Sequence, residues 1–335
     1  FDQCDALFED IRIDSLASVD SNRIGFTKNI SMRFHDLKFR TEDSTYKMKA
    51  EWITYSSEKK TVEIDSFKLQ PTLDKEDFYK AVSQHQSLYY VEFHKVRFVN
   101  TRLDHFIHNN SIEADSVIFE TPNVSIYNDR SMPPDFESKI GKYPHQKLLK
   151  ANAIIAIRNI IARNTTLKYT EKNAKTLQEG VLSFRNVDLL ATNVTNEPEA
   201  IKRNGICTAK LNGRILESSP FEIVFNLHLD SSNGKYNAKG SVQNVKTEQL
   251  NPLAISLANV QLNSFNIHDL NFEVSGEDYN AKGNVRMRYN DLSLTIRKKD
   301  EETGVTKTQK FLTKIFNRFG LWPHNPGPDG MEREA

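Results

Sequence analysis

Apolar and polar residues alternate along most of this chain. The clearest run is Phe221 to Leu229, F-E-I-V-F-N-L-H-L, which puts Phe221, Ile223, Phe225, Leu227 and Leu229 on one face. A period of two is the spacing of a β-strand with one greasy and one wet side. The run is followed by Y-N-A-K-G at Tyr236 to Gly240, and the same five residues return at Tyr279 to Gly283. Elsewhere the alternation slips by one residue, at His35-Asp36, at His268-Asp269 and at Asn290-Asp291. A three-residue step between apolar positions flips faces unless a residue bulges out or the chain turns. Asp and Asn suit both, because their side chains bond nearby backbone and tolerate unusual φ/ψ.

The pattern predicts a mostly β protein: an elongated, antiparallel, curved, groove-like sheet with one or two short helices. Residues 1–144 read as sheet repeats with a short helix within 73–86, where Asp74 is the N-terminal signal and Phe78, Ala81 and Val82 share a side. Ser131 to Pro144 is proline-rich and reads as a crossover, because proline cannot occupy a central strand. Strands resume over 145–303. Residues 304–320 read as an amphipathic helix, with Phe311, Leu312, Ile315, Phe316 and Phe319 as its stripe over 306–319 and Gly320 as its stop. Residues 321–335 read as an irregular tail. Apolar-Asp-Ser-apolar units at Asp14, Asp65 and Asp115 are almost evenly spaced, which suggests a structural repeat.

Composition narrows the function class. The apolar share is 38%, and mean hydropathy is negative, as expected of sheets with one solvated face. Forty-five basic residues against 44 acidic ones give no electrostatic case for nucleic acid. Cys4 and Cys207 make no disulfide framework, and two buried thiols are expected. No run of about 18 apolar residues occurs, so no segment reads as a spanning helix. The chain opens on Phe1-Asp2 within a strand-like pattern, and is expected to be part of a longer protein.

Signals for chemistry are weak. Nucleophile elbows, phosphate loops and C-x-x-C or H-E-x-x-H spacings are absent from the sequence. His105 and His108 have the spacing of paired metal ligands, but two solvated histidines are the plainer reading, and no metal is assigned. Asp129-Arg130, just before the proline crossover, either pins that loop or meets a lipid head group. Five N-x-S/T sequons, at Asn29, Asn109, Asn123, Asn164 and Asn193, carry little weight in an Asn-rich chain.

Several stretches carry a resemblance in a fixed order. They are I-Y-N-D-R-S-M-P-P (126–134), Y-P-H-Q-K-L-L (143–149), L-K-Y-T-E-K (167–172), G-V-L-S-F-R-N-V (180–187), A-T-N-V-T-N (191–196) and F-E-V-S-G-E-D-Y-N-A-K-G-N-V-R-M-R-Y-N-D-L (272–292). Together the chain resembles the AsmA-like proteins of Bacteroidota-type envelopes, related in style to TamB. The resemblance implies a periplasmic β-groove that shields acyl chains, in a parent anchored in the inner membrane by a segment outside this chain. It implies a phospholipid or other envelope lipid as partner, no cofactor and no catalysis. The groove lining is then expected to include Phe221, Ile223, Phe225, Leu227, Leu229, Phe272, Val285, Met287 and Tyr289. The 306–319 helix either caps the sheet, rests on an anionic membrane or leads onward, and envelope proteins are possible partners. Two rival readings stay open: a self-packed structural or interaction module, and an enzyme acting on envelope glycans.

Overall fold

The computed structural model describes residues 1–20, 23–24, 26–135, 138, 140–299, 306–315 and 322–332. Among them, fifteen strands join one sheet. In chain order they are β1 (Gln3–Ile11), β2 (Thr27–Arg40), β3 (Tyr46–Ser56), β4 (Thr61–Pro71), β5 (Ser87–Val99), β6 (Ser111–Glu120) and β7 (Asn123–Asp129). Then follow β8 (Ile154–Lys172), β9 (Glu179–Thr195), β10 (Ile206–Ile215), β11 (Ser219–His228), β12 (Tyr236–Val245), β13 (Val260–Gly276), β14 (Ala281–Lys299) and β15 (Thr306–Thr308). Spatial order follows chain order, with β7 placed between β5 and β8. The protein is mostly β, as its alternation implies.

The sheet is mixed rather than wholly antiparallel. β6 and β7 both run parallel to β8 and lie end to end along it, interrupted at Thr121-Pro122. β7 ends beside Lys172, whereas β8 begins beside Ser111. The segment 130–153 must therefore travel the length of the sheet to restart in the same direction, which is why the proline-rich stretch lies there. The boundary expected at residue 145 falls on this crossover, and the sheet continues across it.

Short helices are more numerous than the pattern suggests: α1 (Lys75–Ala81), α2 (Leu103–Asn109), α3 (Pro144–Leu149), α4 (Pro198–Arg203), α5 (Thr247–Ala258) and α6 (Lys310–Ile315). α1 occupies the expected place, with the Asp74 carboxylate accepting from the Asp77 backbone N–H at 2.9 Å. The expected 306–319 helix is shorter, because Thr306–Thr308 instead form β15 on the edge of β14. β-branched threonines beside an open strand edge favour pairing over a helical turn. Residues 304–305 and 316–320 of that expectation, Phe316 and Phe319 included, lie outside the described residues. The irregular tail is docked, since Asn325 and Tyr289 exchange backbone hydrogen bonds at 2.8 and 2.9 Å along β14.

The sheet is curved. α5 touches both β9 and β13, which three other strands separate. On a flat sheet those strands would stand about 19 Å apart, wider than a helix of about 10–12 Å. The accessible surface is 20,643 Å². A compact monomer of this mass exposes about 14,000 Å², so much of the sheet lacks a second layer. Bulges hold the sheet's faces in phase. Asp36, Ser66, Asn164, Asn186, Asn244 and Asp291 adopt left-handed φ inside or beside strands. The slips at Asp36 and Asp291 are thus bulges, and the one near Asp269 is a register shift.

The Asp-Ser units are not equivalent. Asp14 belongs to the loop before a short 3-10 turn, Asp65 precedes a bulge in β4, and Asp115 lies in a regular stretch of β6. Their even spacing is not a structural repeat. Cys207 is buried and its thiol is pushed up to about 11 by burial, but Cys4 is exposed on β1. Both are free, so only one of the two expected buried thiols is buried.

Candidate functional site

Strand registers convert the scattered apolar alternation into continuous rows. Cys4, Phe34, Ile53, Ile64, Val96, Phe119, Ala162, Leu189, Leu211, Ile223, Gly240, Phe272 and Val285 are successive cross-strand partners from β1 to β14. A second row runs from Met32 through Tyr55, Val62, Phe98, Val117 and Ile160 to Phe225 and Val274. Directly opposed residues share a face, so the rows make one apolar floor across the sheet. The bulges extend it, because Phe67 stacks on Phe93 and Phe93 meets Phe119, all on this side.

Only parts of the floor are covered. Val96, Val117 and Ala114 are buried at its centre, while most row members are half-buried and Val285 is 66% exposed. α5 covers the other buried patch. Its Leu250 and Leu253 pack against Leu216, Val245 and Ile267, with Leu182, Leu270, Met287 and Tyr289 around them. The helix is tied down at its first turn, where Thr247 Oγ1 accepts from the Phe265 backbone N–H at 2.7 Å and donates to the Phe265 carbonyl at 3.1 Å. Thr176 Oγ1 donates to the Ser256 carbonyl at 2.7 Å from the β8–β9 turn. Gly180 lets the helix sit close, since a Cβ on it would fall 2.7 Å from Leu257 Cγ and push that side chain aside.

The opposite end of β11–β14 is closed by α3 and the segment before it. Gln146 Nε2 donates to both carboxylate oxygens of Asp278 at 3.0 Å, and Tyr143 meets the Tyr236 ring edge-on. Next to this clasp, His145 is buried beside the Gly234 backbone, and burial pushes its pKa below 6.5.

The expected groove residues separate into two groups. Ile223, Phe225, Leu227 and Phe272 are half-buried on the open floor with exposed Val285. Phe221 and Leu229 are buried, while Met287 and Tyr289 pack into the α5 cluster. Floor residues of the first half, Phe34, Ile53, Ile64 and Phe119 among them, escaped sequence reasoning. Their alternation is visible, but only register shows that they continue the same rows.

Asp129 and Arg130 do not pair with each other. Asp129, 6% exposed, accepts from Lys172 Nζ at 2.8 Å and from the Ser131 backbone N–H at 2.9 Å. Burial pushes the Asp129 carboxyl up, but Lys172 and Ser131 outweigh it and hold it below the usual range. Arg130 Nε reaches Glu171 Oε2 at 3.1 Å, which also accepts from the Tyr169 hydroxyl at 2.8 Å. Both residues fasten the start of the crossover to β8.

His105 sits on α2 and bonds Glu113 through Nδ1 at 2.8 Å. Among the described residues, no group of three or more His, Cys, Asp or Glu side chains is placed to hold a metal. No described helix is long and apolar enough to cross a membrane. No protein-family model and no curated protein matches the chain.

Proposed function

We propose that this chain is the lipid-binding part of a non-enzymatic, AsmA-like cell-envelope protein, and that its apolar floor binds or conducts acyl chains. The observation that carries the reading is the unbroken apolar row from Phe34 to Val285, most of it without a covering layer. An uncovered floor gains when acyl chains complete its burial, at about 0.8 kcal/mol per CH₂. Phospholipid or another envelope lipid is the proposed partner, the periplasm the proposed location and an inner-membrane anchor outside this chain the proposed attachment. A self-packed module needs a second layer over the floor, and the large accessible surface weighs against one.

Native mass spectrometry with lipid extraction, on protein purified under mild conditions, tests the reading. Stoichiometric phospholipid, reduced by Phe225→Asp or Val285→Glu without loss of fold, is the expected result. Lipid-free protein that also refuses labelled phospholipid would overturn it.

A further inference from the structure

Opposite charges generally face each other on the polar side of the sheet. Asp5 opposes Arg33, Glu63 opposes Arg97, Asp65 opposes Lys95, Lys239 opposes Glu273 and Asp269 opposes Arg288. Where Arg185 meets Arg214, Glu217 takes the first and the Ser218 carbonyl the second. Lys298 and Lys307 also meet directly on β14 and β15, but the largest cluster of opposed cations among the described residues lies at another corner. Lys38, Lys49 and Lys68 stand directly opposite one another on β2, β3 and β4, and Arg40 faces Lys47 one step further along.

Like charges directly opposed in a sheet are destabilising. Asp36 neutralises part of this cluster by pairing with Lys38 and with Lys49 (2.7 Å), and Glu92 takes Lys68 at 2.8 Å. Arg40 and Lys47 are exposed and have no ion pair among the described residues. The hairpin tip beyond them carries Glu42 and Asp43, and Asp43 spends its carboxylate on Thr41 and Thr45 in its own turn. The cationic side chains and Gln70 line a depression of about 450 Å³. A sheet that gathers five cations on one face at one corner marks that corner for a ligand.

The surroundings specify the ligand. Phe39 (49% exposed), Leu73, Tyr89 and Tyr90 are exposed large side chains at the same end of β2–β5, with Tyr90 on the face of the lysines and Phe39 and Tyr89 on the apolar face. Aromatic residues beside clustered Lys and Arg suit the head-group zone of an anionic bilayer, where rings enter the interface and cations meet phosphates.

We propose that the β2–β4 corner, centred on Arg40 and Lys47, docks the chain on an anionic phospholipid surface. This docking is separate from the binding of acyl chains by the floor, so delipidated protein is the sample. It should float with vesicles of phosphatidylcholine and phosphatidylglycerol at 7:3, and remain behind with phosphatidylcholine alone. Each interfacial cation contributes about 1 kcal/mol, so the double variant Arg40→Gln/Lys47→Gln should lower the partition coefficient by about tenfold or more at low salt. The control Lys235→Gln/Lys239→Gln removes the same charge from the other half and should partition like the parent.

Equal weakening by the control would reduce the effect to net charge and overturn the proposal. Unchanged binding by the Arg40/Lys47 variant would overturn it too. Release by millimolar inorganic phosphate at constant ionic strength would assign the corner to free phosphate instead of a membrane. Circular dichroism of the variants, which replace exposed side chains, checks that they fold.

Discussion

The two halves of the sheet use the same floor differently. Across β8–β14 the floor is bounded: α5 lies over one end, α3 clasps the other, and the tail pairs with the far edge through Asn325. Across β1–β5 the floor has a buried centre at Val96 but a bare flank. Every residue of β1 is exposed, with Leu7, Phe8 and Ile11 among them. The comparison teaches that one apolar row serves as a packed core where a helix meets it and as an open surface where none does. Residue type along the row hardly changes; the covering does.

The largest test of this contrast is truncation of one floor isoleucine in each half. Ile267→Ala, in the α5 cluster, should cost about 3 kcal/mol, as buried large-to-small changes do. Ile64→Ala, less completely buried and without a helix over it, should cost less, about 2 kcal/mol. Urea denaturation measures both, and equal costs would break the comparison. Next in size is Lys172→Met, which strands the buried Asp129 carboxylate at the crossover and should cost about 2 kcal/mol. Adding Asp129→Asn should recover part of that loss. Gly240→Ala comes third, at about 1 kcal/mol, because its Cβ would lie 2.7 Å from the Glu222 carbonyl and 2.8 Å from Phe272 Cζ.

The smallest effect sharpens the comparison through pH. Burial depresses His145 and outweighs the Gly234 backbone and the Asp278 carboxylate, which pull its pKa upward, while His228 adds to the depression. The folded state therefore favours neutral imidazole. Its stabilising contribution is fully present above pH 6.5 and declines as pH falls, because the unfolded chain takes up the proton more readily. Amide hydrogen exchange should show α3 and the β13–β14 turn loosening in mild acid before β2–β4 do. A first-half sheet that loosens at the same pH would count against the assignment.

Much of the strand pattern was legible. The alternation of Phe221 to Leu229 is β11 and its continuation, and the slip at His35-Asp36 is a bulge at Asp36. The two Y-N-A-K-G copies open β12 and β14, and each sets its glycine against β13: Gly240 beside Phe272, Gly283 beside Val274. α5 was not legible, because Pro252 lies inside it and proline argues against a helix interior. Tertiary packing of Leu250 and Leu253 overrides that preference here. The floor as a whole was illegible for a different reason. Alternation gives each strand a greasy side, but whether thirteen such sides align depends on register, which bulges reset in several strands.

The unequal edges give the sheet a direction of growth. β14 is occupied at one end by β15 and further along by the tail, so another strand would have to displace them. Among the described residues, β1 has β2 on one side and an unoccupied row of backbone donors and acceptors on the other. In the language of polymers, one end is terminated and the other is living. Hairpins added at β1 would lengthen the trough without reordering a single existing pair, whereas insertion at the opposite margin would first have to unseat its stopper.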